Sequence, residues 1–261
     1  MRATTVARMA SATLFVVHGS HPCRAVELAM QRKGLAYRKV ELPPMTHPVV
    51  MKAYFGKRTV PGLQFPMGGK VQGSREILRA LDLIAPDPPL LPDDADARET
   101  VLQAEAWGDE VLQPVARRVL WPTLGRNPEA APSYTAGGKV PLPAGAVTRF
   151  MPAIAWMERK LNRATDAAYA QDLRELPRHL DRIDAWIAEG VLGGDPFPNA
   201  ADLQIGTSLN LLMTLADLEA LIAPRPAGAL ARRIDPQHAS GRLPAGAVPE
   251  ALRAGWPVTV G

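Results

Sequence analysis

The chain has 261 residues, 47% of them hydrophobic, enough for one large or two modest cores. Its formal net charge is +4, from 30 basic and 26 acidic residues of interspersed sign, and with no basic stripe interleaved with aromatics this argues against nucleic-acid binding. No apolar run approaches the roughly 20 residues of a membrane helix, and one cysteine, Cys23, excludes an internal disulfide and shares no metal-ligand spacing with the five histidines.

Met1 to Ser11 carries two arginines but no sustained apolar core, so the expectation is a soluble protein of the reducing cytoplasm, without metal and without a secretory leader. Thr13 to Val17 is a short β-branched apolar run that predicts a strand entering the turn His18-Gly19-Ser20-His21-Pro22. A helix is expected from Pro22, whose missing N–H would have no partner in a first turn. Ala25, Leu28, Ala29 and Met30 give it an apolar stripe, and Gly34 ends it. Tyr37 to Leu42 alternates as a second strand, and Pro43 to Phe55 reads as irregular. Thr59 to Phe65 and Lys70 to Gln72 form a hairpin around Met67-Gly68-Gly69. Ser74 is positioned to N-cap a helix with apolar residues Ile77, Leu78, Leu81 and Ile84, stopped by Pro86, Pro88 and Pro89. The order β-α-β, hairpin, α predicts an α/β domain over residues 1–84, followed by a Pro-rich linker over 85–95.

Everything beyond the linker lacks strand patterns, which predicts an all-helical domain over residues 96–223. Its helices are expected at Asp96 to Leu120, at Asp166 to Glu189 with an interruption near Pro177, and at Asn199 to Leu215. Residues 121–165 read as an insertion, Pro/Gly-rich at first and helical from Ala144 to Asn162. In it Phe150, Ile154, Met157 and Leu161 recur at helical spacing as a face expected to cover a cleft between the domains. Residues 224–261, rich in Pro, Gly, Ala and Arg, read as an extended tail.

The run Ser20-His21-Pro22-Cys23-Arg24-Ala25-Val26, followed by Gly34 and a charged strand, resembles the first β-α-β unit of glutathione transferases, theta-class enzymes in particular. Val60-Pro61 resembles the Val-Pro step of the thioredoxin fold, where the proline is cis. Ser74, Ile77 and Leu81 resemble the start of that domain's third helix, and Asn199-Ala200-Ala201-Asp202 resembles the capping box of the buried helix in the second domain. The matches keep the family's order. They imply a thioredoxin-like N-terminal domain followed by an all-helical glutathione S-transferase domain, with glutathione or another low-molecular-weight thiol as co-substrate, a hydrophobic electrophile as its partner in a detoxification chemistry, and a homodimer.

By the same resemblance Ser20 would hold the thiol as thiolate. A free thiol with a pKa near about 8.5 is mostly protonated at neutral pH, so a donated hydroxyl and a helix dipole have work to do there. The backbone of Val60, ahead of Pro61, would pair with the main chain of the tripeptide in the manner of an added strand. Ser74, at a helix N-terminus, would take the γ-glutamyl carboxylate. Where the family places Glu or Gln before this serine stands Gly73, and Arg75 or Glu76 is the nearest substitute. Lys57 and Arg58 precede the Val-Pro step and suit the glycine carboxylate or plain solvation. Trp107, Trp121, Phe150, Met151 and Trp156 are candidates for an apolar electrophile pocket, and core packing explains each as well.

Cys23 competes with Ser20. It would serve redox exchange through a mixed disulfide or be a buried structural thiol, with Ser20 standing where a Cys-x-x-Cys pair needs its other cysteine. Asn199 and Asp202 read as a folding device. Three function classes follow: conjugation of a thiol to hydrophobic electrophiles, a non-catalytic binding or assembly protein on the same fold, and a thiol-dependent reductase or peroxidase using Cys23.

Overall fold

The computed structural model describes residues 12–43, 46–139, 143–194, 197–236 and 241–256; the expectation for Met1 to Ser11 lies outside the described residues. Strand β1 (Thr13–Val16) buries Leu14 and Val16 and feeds helix α1 (His21–Arg32), which has Pro22 in its first turn and buries Cys23, Val26, Ala29 and Met30. Strand β2 (Arg38–Glu41) runs parallel to β1, with Val16 opposite Glu41. Strands β3 (Gly62–Gln64) and β4 (Lys70–Gln72) form the hairpin, giving the sheet order β2-β1-β3-β4 with β3 antiparallel to both neighbours. Helix α3 (Ser74–Ile84) closes this layer by burying Ile77, Leu78 and Leu81, whereas Ile84 is partly exposed.

The segment expected to be irregular contains helix α2 (His47–Phe55), with Pro48 in its first turn and Gly56 beyond its end. Met51 is the one residue it buries fully, so the helix carries almost no amphipathic signal. Aromatic packing holds it instead: the rings of Tyr54 and Phe55 lie 5.4 and 5.3 Å from that of Phe15 on β1.

Among the described residues the second layer is built of helices, with one isolated bridge between Leu215 and Leu243. Helix α4 (Ala95–Trp107) is capped by Asp94, whose side chain accepts from Ala97 N, and passes through a π turn (Gly108–Leu112) into α5 (Gln113–Arg126). A short 3-10 turn (Pro128–Ala130) and α6 (Ala131–Thr135) follow. Then come α7 (Ala144–Leu161), α8 (Asp166–Ala188), α9 (Ala200–Leu212), α10 (Ala216–Ile222), α11 (Pro226–Ile234) and α12 (Glu250–Arg253). Helix α8 runs unbroken through Pro177. Its buried stripe Leu173, Leu176, Leu180 and Ile183 offsets the roughly 3 kcal/mol that an interior proline costs. Helix α9 is buried at every residue, and its capping box is closed by two 2.9 Å bonds, Asp202 N to Asn199 Oδ1 and Asn199 N to Asp202 Oδ2.

The stretch 121–165 shares its first residues with α5, and α7 buries Val147, Met151, Ala155 and Glu158 rather than the Phe150 to Leu161 face. The linker is bolted down. Lys33, with a fully buried side chain, donates from Nζ to Asp82 Oδ1 at 2.9 Å, Ala85 O at 2.6 Å and Pro88 O at 2.7 Å, while Leu90 O accepts from Ala200 N at 2.8 Å.

The segment 224–261 differs most from expectation, because it holds α11 and α12 instead of an extended tail. Ala227, Leu230, Ala231 and Ile234 form a buried face at helical spacing, and the Arg24 guanidinium on α1 makes a two-pronged pair with Asp235 at 2.7 and 2.8 Å. Leu243 bridges Leu215 in parallel, and Asp217 accepts from Gly246 N and Val248 N, both at 2.9 Å. The small residues that made this stretch look unstructured are what let it pack closely.

Candidate functional site

The sheet register decides which parts of the sequence meet. Because Phe15 lies opposite Gly62 and Gly62 opposite Gln72, the end of β1, the start of β3 and the end of β4 come to one end of the sheet. Ser20, the Val60–Pro61 step and the start of α3 therefore gather there. Ser20 is the N-cap of α1 in extended conformation, with φ −74° and ψ 112° and no capping hydrogen bond from its side chain. Its hydroxyl sits beside the Cys23 sulfur. Cys23 is 2% exposed, and burial pushes its thiol up to about 12, against the opposing hydrogen bonds of the Ser20 side chain and the Val17 backbone.

The Val60–Pro61 peptide is cis. Val60 is partly buried against the core, and Pro61 O accepts from Gly73 N at 3.0 Å. The preceding loop is fixed by one side chain, Gln72, which accepts from Lys57 N at 3.0 Å and donates to Lys57 O at 2.9 Å and Thr59 O at 2.7 Å. Lys57 and Arg58 are exposed.

Ser74 is the first residue of α3, and Gly73, at φ 108°, is the cap. This corrects the expectation that Ser74 caps the helix. Its hydroxyl is buried and engaged across the domains, donating to Gln204 Oε1 at 3.2 Å or accepting from Gln204 Nε2 at 2.9 Å. No side chain caps α3, so its first N–H groups keep their affinity for an anion. A Cβ at residue 73 would lie 2.2 Å from Glu76 Oε2: the Glu76 carboxylate fills the space a side chain there would take. Arg75 turns away, to Glu110 Oε1 at 2.9 Å and Asp109 Oδ2 at 3.8 Å.

The aromatic candidates lie in different surroundings. Trp107 packs edge to face on Trp186 with centroids 5.3 Å apart, beside Arg182 of α8. Trp121 is partly buried against the core, Met151 is buried, and Phe150 and Trp156 are exposed by 59% and 65% on the outer face of α7. The segment 133–139, which the sequence reading did not single out, approaches the turn before Ser20. Ala136 O lies 2.9 Å from His18 Nε2, Glu41 Oε1 accepts from Lys139 N at 2.8 Å, and a Cβ at Gly19 would stand 3.7 Å from Tyr134 O. Its Ser-Tyr-Thr-Ala-Gly-Gly run was the available signal.

A separate groove of about 410 Å³, lined by Pro89, Leu90, Leu91, Pro92, Val191 and Phe197 among others, is mostly apolar and does not include Ser20. Among the described residues no group of three His, Cys, Asp or Glu is placed to hold a metal, and no helix is long and apolar enough to cross a membrane.

Residues 14–89 match the family model of the glutathione S-transferase N-terminal domain. The whole chain is similar in fold to a glutathione S-transferase from Methylobacterium radiotolerans solved with glutathione sulfonate, at 21% identity and TM-score 0.59 over 89% of this chain and 95% of that one. It is similar to a glutathione S-transferase from Methylobacillus flagellatus solved with glutathione, at 21% identity and TM-score 0.61 over 88% and 96%. A maleylacetoacetate isomerase from Anaeromyxobacter dehalogenans solved with dicarboxyethyl glutathione shares 17% identity and TM-score 0.53 over 86% and 89%. The sequence has no match among curated proteins.

Proposed function

We propose that the chain, whose residues 14–89 match the glutathione S-transferase N-terminal domain and whose fold is that of glutathione S-transferases, belongs to that superfamily, binds glutathione or a closely related thiol and transfers it to an electrophile. The observation that carries this reading is the convergence of Ser20, the cis Val60–Pro61 step and the uncapped start of α3 at one end of the sheet. Ser20 donates its O–H to the bound sulfur and, with the positive end of α1, favours the thiolate. The Val60 backbone pairs with the peptide of the thiol. The first N–H groups of α3 take the γ-glutamyl carboxylate, and Glu76, from the space beside Gly73, takes the γ-glutamyl ammonium. Cys23 stands aside, since a thiol that titrates near about 12 is not a nucleophile at neutral pH.

Two assays test the reading. A ligand at about 100 times its dissociation constant stabilises a fold by about 2.7 kcal/mol, so glutathione should raise the melting temperature, and the protein should conjugate it to an activated aryl halide. A second reading, a binding or assembly protein without catalysis, is favoured by the engagement of the Ser74 hydroxyl with Gln204. Absence of any shift across a series of thiols would move the account to it. The homodimer is part of the proposal, and light scattering giving only the 28.1 kDa mass of one chain would remove it.

A further inference from the structure

The end of the sheet where Ser20 lies is crossed by one segment and braced by another that comes later in the chain. Segment Ser133–Gly138, referred to below as the strap, runs along the His18–Gly19 turn and is latched to it by Ala136 O on His18 Nε2 at 2.9 Å, with Lys139 N on Glu41 Oε1 at 2.8 Å beyond. Its other side rests on the C-terminal part of the chain. Arg242 N donates to Ser133 Oγ at 2.9 Å. Thr214 Oγ1 gives its proton to Leu211 O at 2.7 Å, so the 2.8 Å contact with Tyr134 is donated by the Tyr134 hydroxyl. Thr214 O and Ala216 N are in turn tied to Leu243 N and O at 2.9 and 3.0 Å.

Gly241 is the tightest point. It has φ 93°, and a Cβ built on it would lie 2.2 Å from Cδ1 and 2.3 Å from Cε1 of Tyr134. The backbone therefore lies flat against the ring, at an approach only glycine allows. Beyond it, Asp217 holds Gly246 N and Val248 N at 2.9 Å, so the brace is fixed at both ends.

From this geometry we infer that Gly241–Val248 is a clamp that presses Tyr134 and the strap over the thiol-activating turn, and that strap and clamp together set the size of the group the bound sulfur can carry. The inference rests on the reading that the thiol sulfur lies at Ser20. With the strap down, Tyr134 O and Ala136 O lie against Gly19 and His18, next to Ser20, and on this inference the sulfur keeps room for a small substituent and excludes a fused-ring one. The device uses no side chain that the proposed chemistry needs.

The test uses the full chain and two variants that leave Ser20, Val60, Ser74 and Glu76 intact. Gly241→Ala forces the Tyr134 ring away, and Ser133→Ala removes one latch without steric conflict. Hydrogen exchange is followed at residues 133–139 and, as a control, along α9. Dissociation constants are measured by calorimetry for glutathione, S-methylglutathione and S-(1-naphthylmethyl)glutathione. Exchange across the strap is expected to rise fivefold or more in Ser133→Ala and further in Gly241→Ala, with α9 unchanged. Naphthylmethyl binding should tighten at least fivefold relative to methyl, while glutathione affinity stays within twofold. Unchanged strap exchange in both variants, or a rise shared equally by α9, overturns the clamp. Parallel changes for all three ligands overturn its control of size. If no glutathione compound binds the parent, the functional reading above fails and size control fails with it, while the exchange data still decide whether the clamp exists.

Discussion

Cys23 offers a perturbation whose size follows from its burial. A free cysteine titrates near about 8.5, whereas burial lifts Cys23 to about 12. At about pH 8 the unfolded chain therefore holds about a quarter of its thiol as thiolate and the folded chain about one part in 10⁴, a ratio of roughly 10³. Iodoacetamide reacts with the thiolate, so native protein should be alkylated roughly 10³-fold more slowly than protein in guanidinium chloride at the same pH. The same shift fixes the sign of an alkaline effect. The folded state binds this proton more tightly, so the contribution to stability is whole below about pH 8.5 and is lost as pH rises toward about 12. At about pH 10 the loss is about 2 kcal/mol, about 1.5 pH units at about 1.4 kcal/mol each. The stability advantage of the parent over Cys23→Ala, read from urea midpoints, should shrink by that amount between about pH 7 and pH 10. Native alkylation within tenfold of the unfolded rate, or an advantage indifferent to pH, would refute the argument and return Cys23 to the list of reactive groups.

Three more outcomes follow from particular contacts. Lys33→Met strands Asp82 and two carbonyls around a fully buried side chain and should cost about 3–5 kcal/mol in urea denaturation. Glu76→Ala should raise the KM for the thiol about tenfold with kcat little changed, the signature of lost uniform binding; an unchanged KM would remove Glu76 from the site. Gly206→Ala places a Cβ 2.6 Å from Ile234 Cγ1 and should destabilise the fold by about 1–3 kcal/mol, with recovery on adding Ile234→Ala as the check.

What could be read in advance was local. The β1–α1 turn, the hairpin and the Asn199–Asp202 box each declare themselves within a few residues, through Pro22, Gly68-Gly69 and a cap at the right spacing, and the cap of α3 was read one residue late, at Ser74 instead of Gly73. Helix α2 did not, because its stability comes from rings on another strand. Helix α11 did, in the spacing of Ala227, Leu230, Ala231 and Ile234, but a composition dominated by small residues and arginine concealed it. On α7 two stripes compete, and the more hydrophobic one, containing Phe150 and Leu161, faces outward while Val147, Met151 and Ala155 pack inward. Periodicity reveals a face without saying what it meets. The strap's own run of small and turn-forming residues was visible, but its docking on the first turn was beyond reach of any local pattern, since His18 and Ala136 are 118 residues apart in sequence.

The central claim is that Ser20 activates a bound thiol, and the ionisation of that thiol tests it most directly. The absorbance of glutathione thiolate near about 240 nm, titrated on the protein between about pH 5 and 10, brackets the free thiol pKa of about 8.5. The account predicts that the bound thiol ionises at least one unit below the free one in the parent and closer to the free value in Ser20→Ala, where only the helix end remains to favour the thiolate. Conjugation should fall about 10²-fold or more in the variant while glutathione affinity is largely kept. A bound thiol that ionises alike in both proteins, with full conjugating activity in Ser20→Ala, would contradict it.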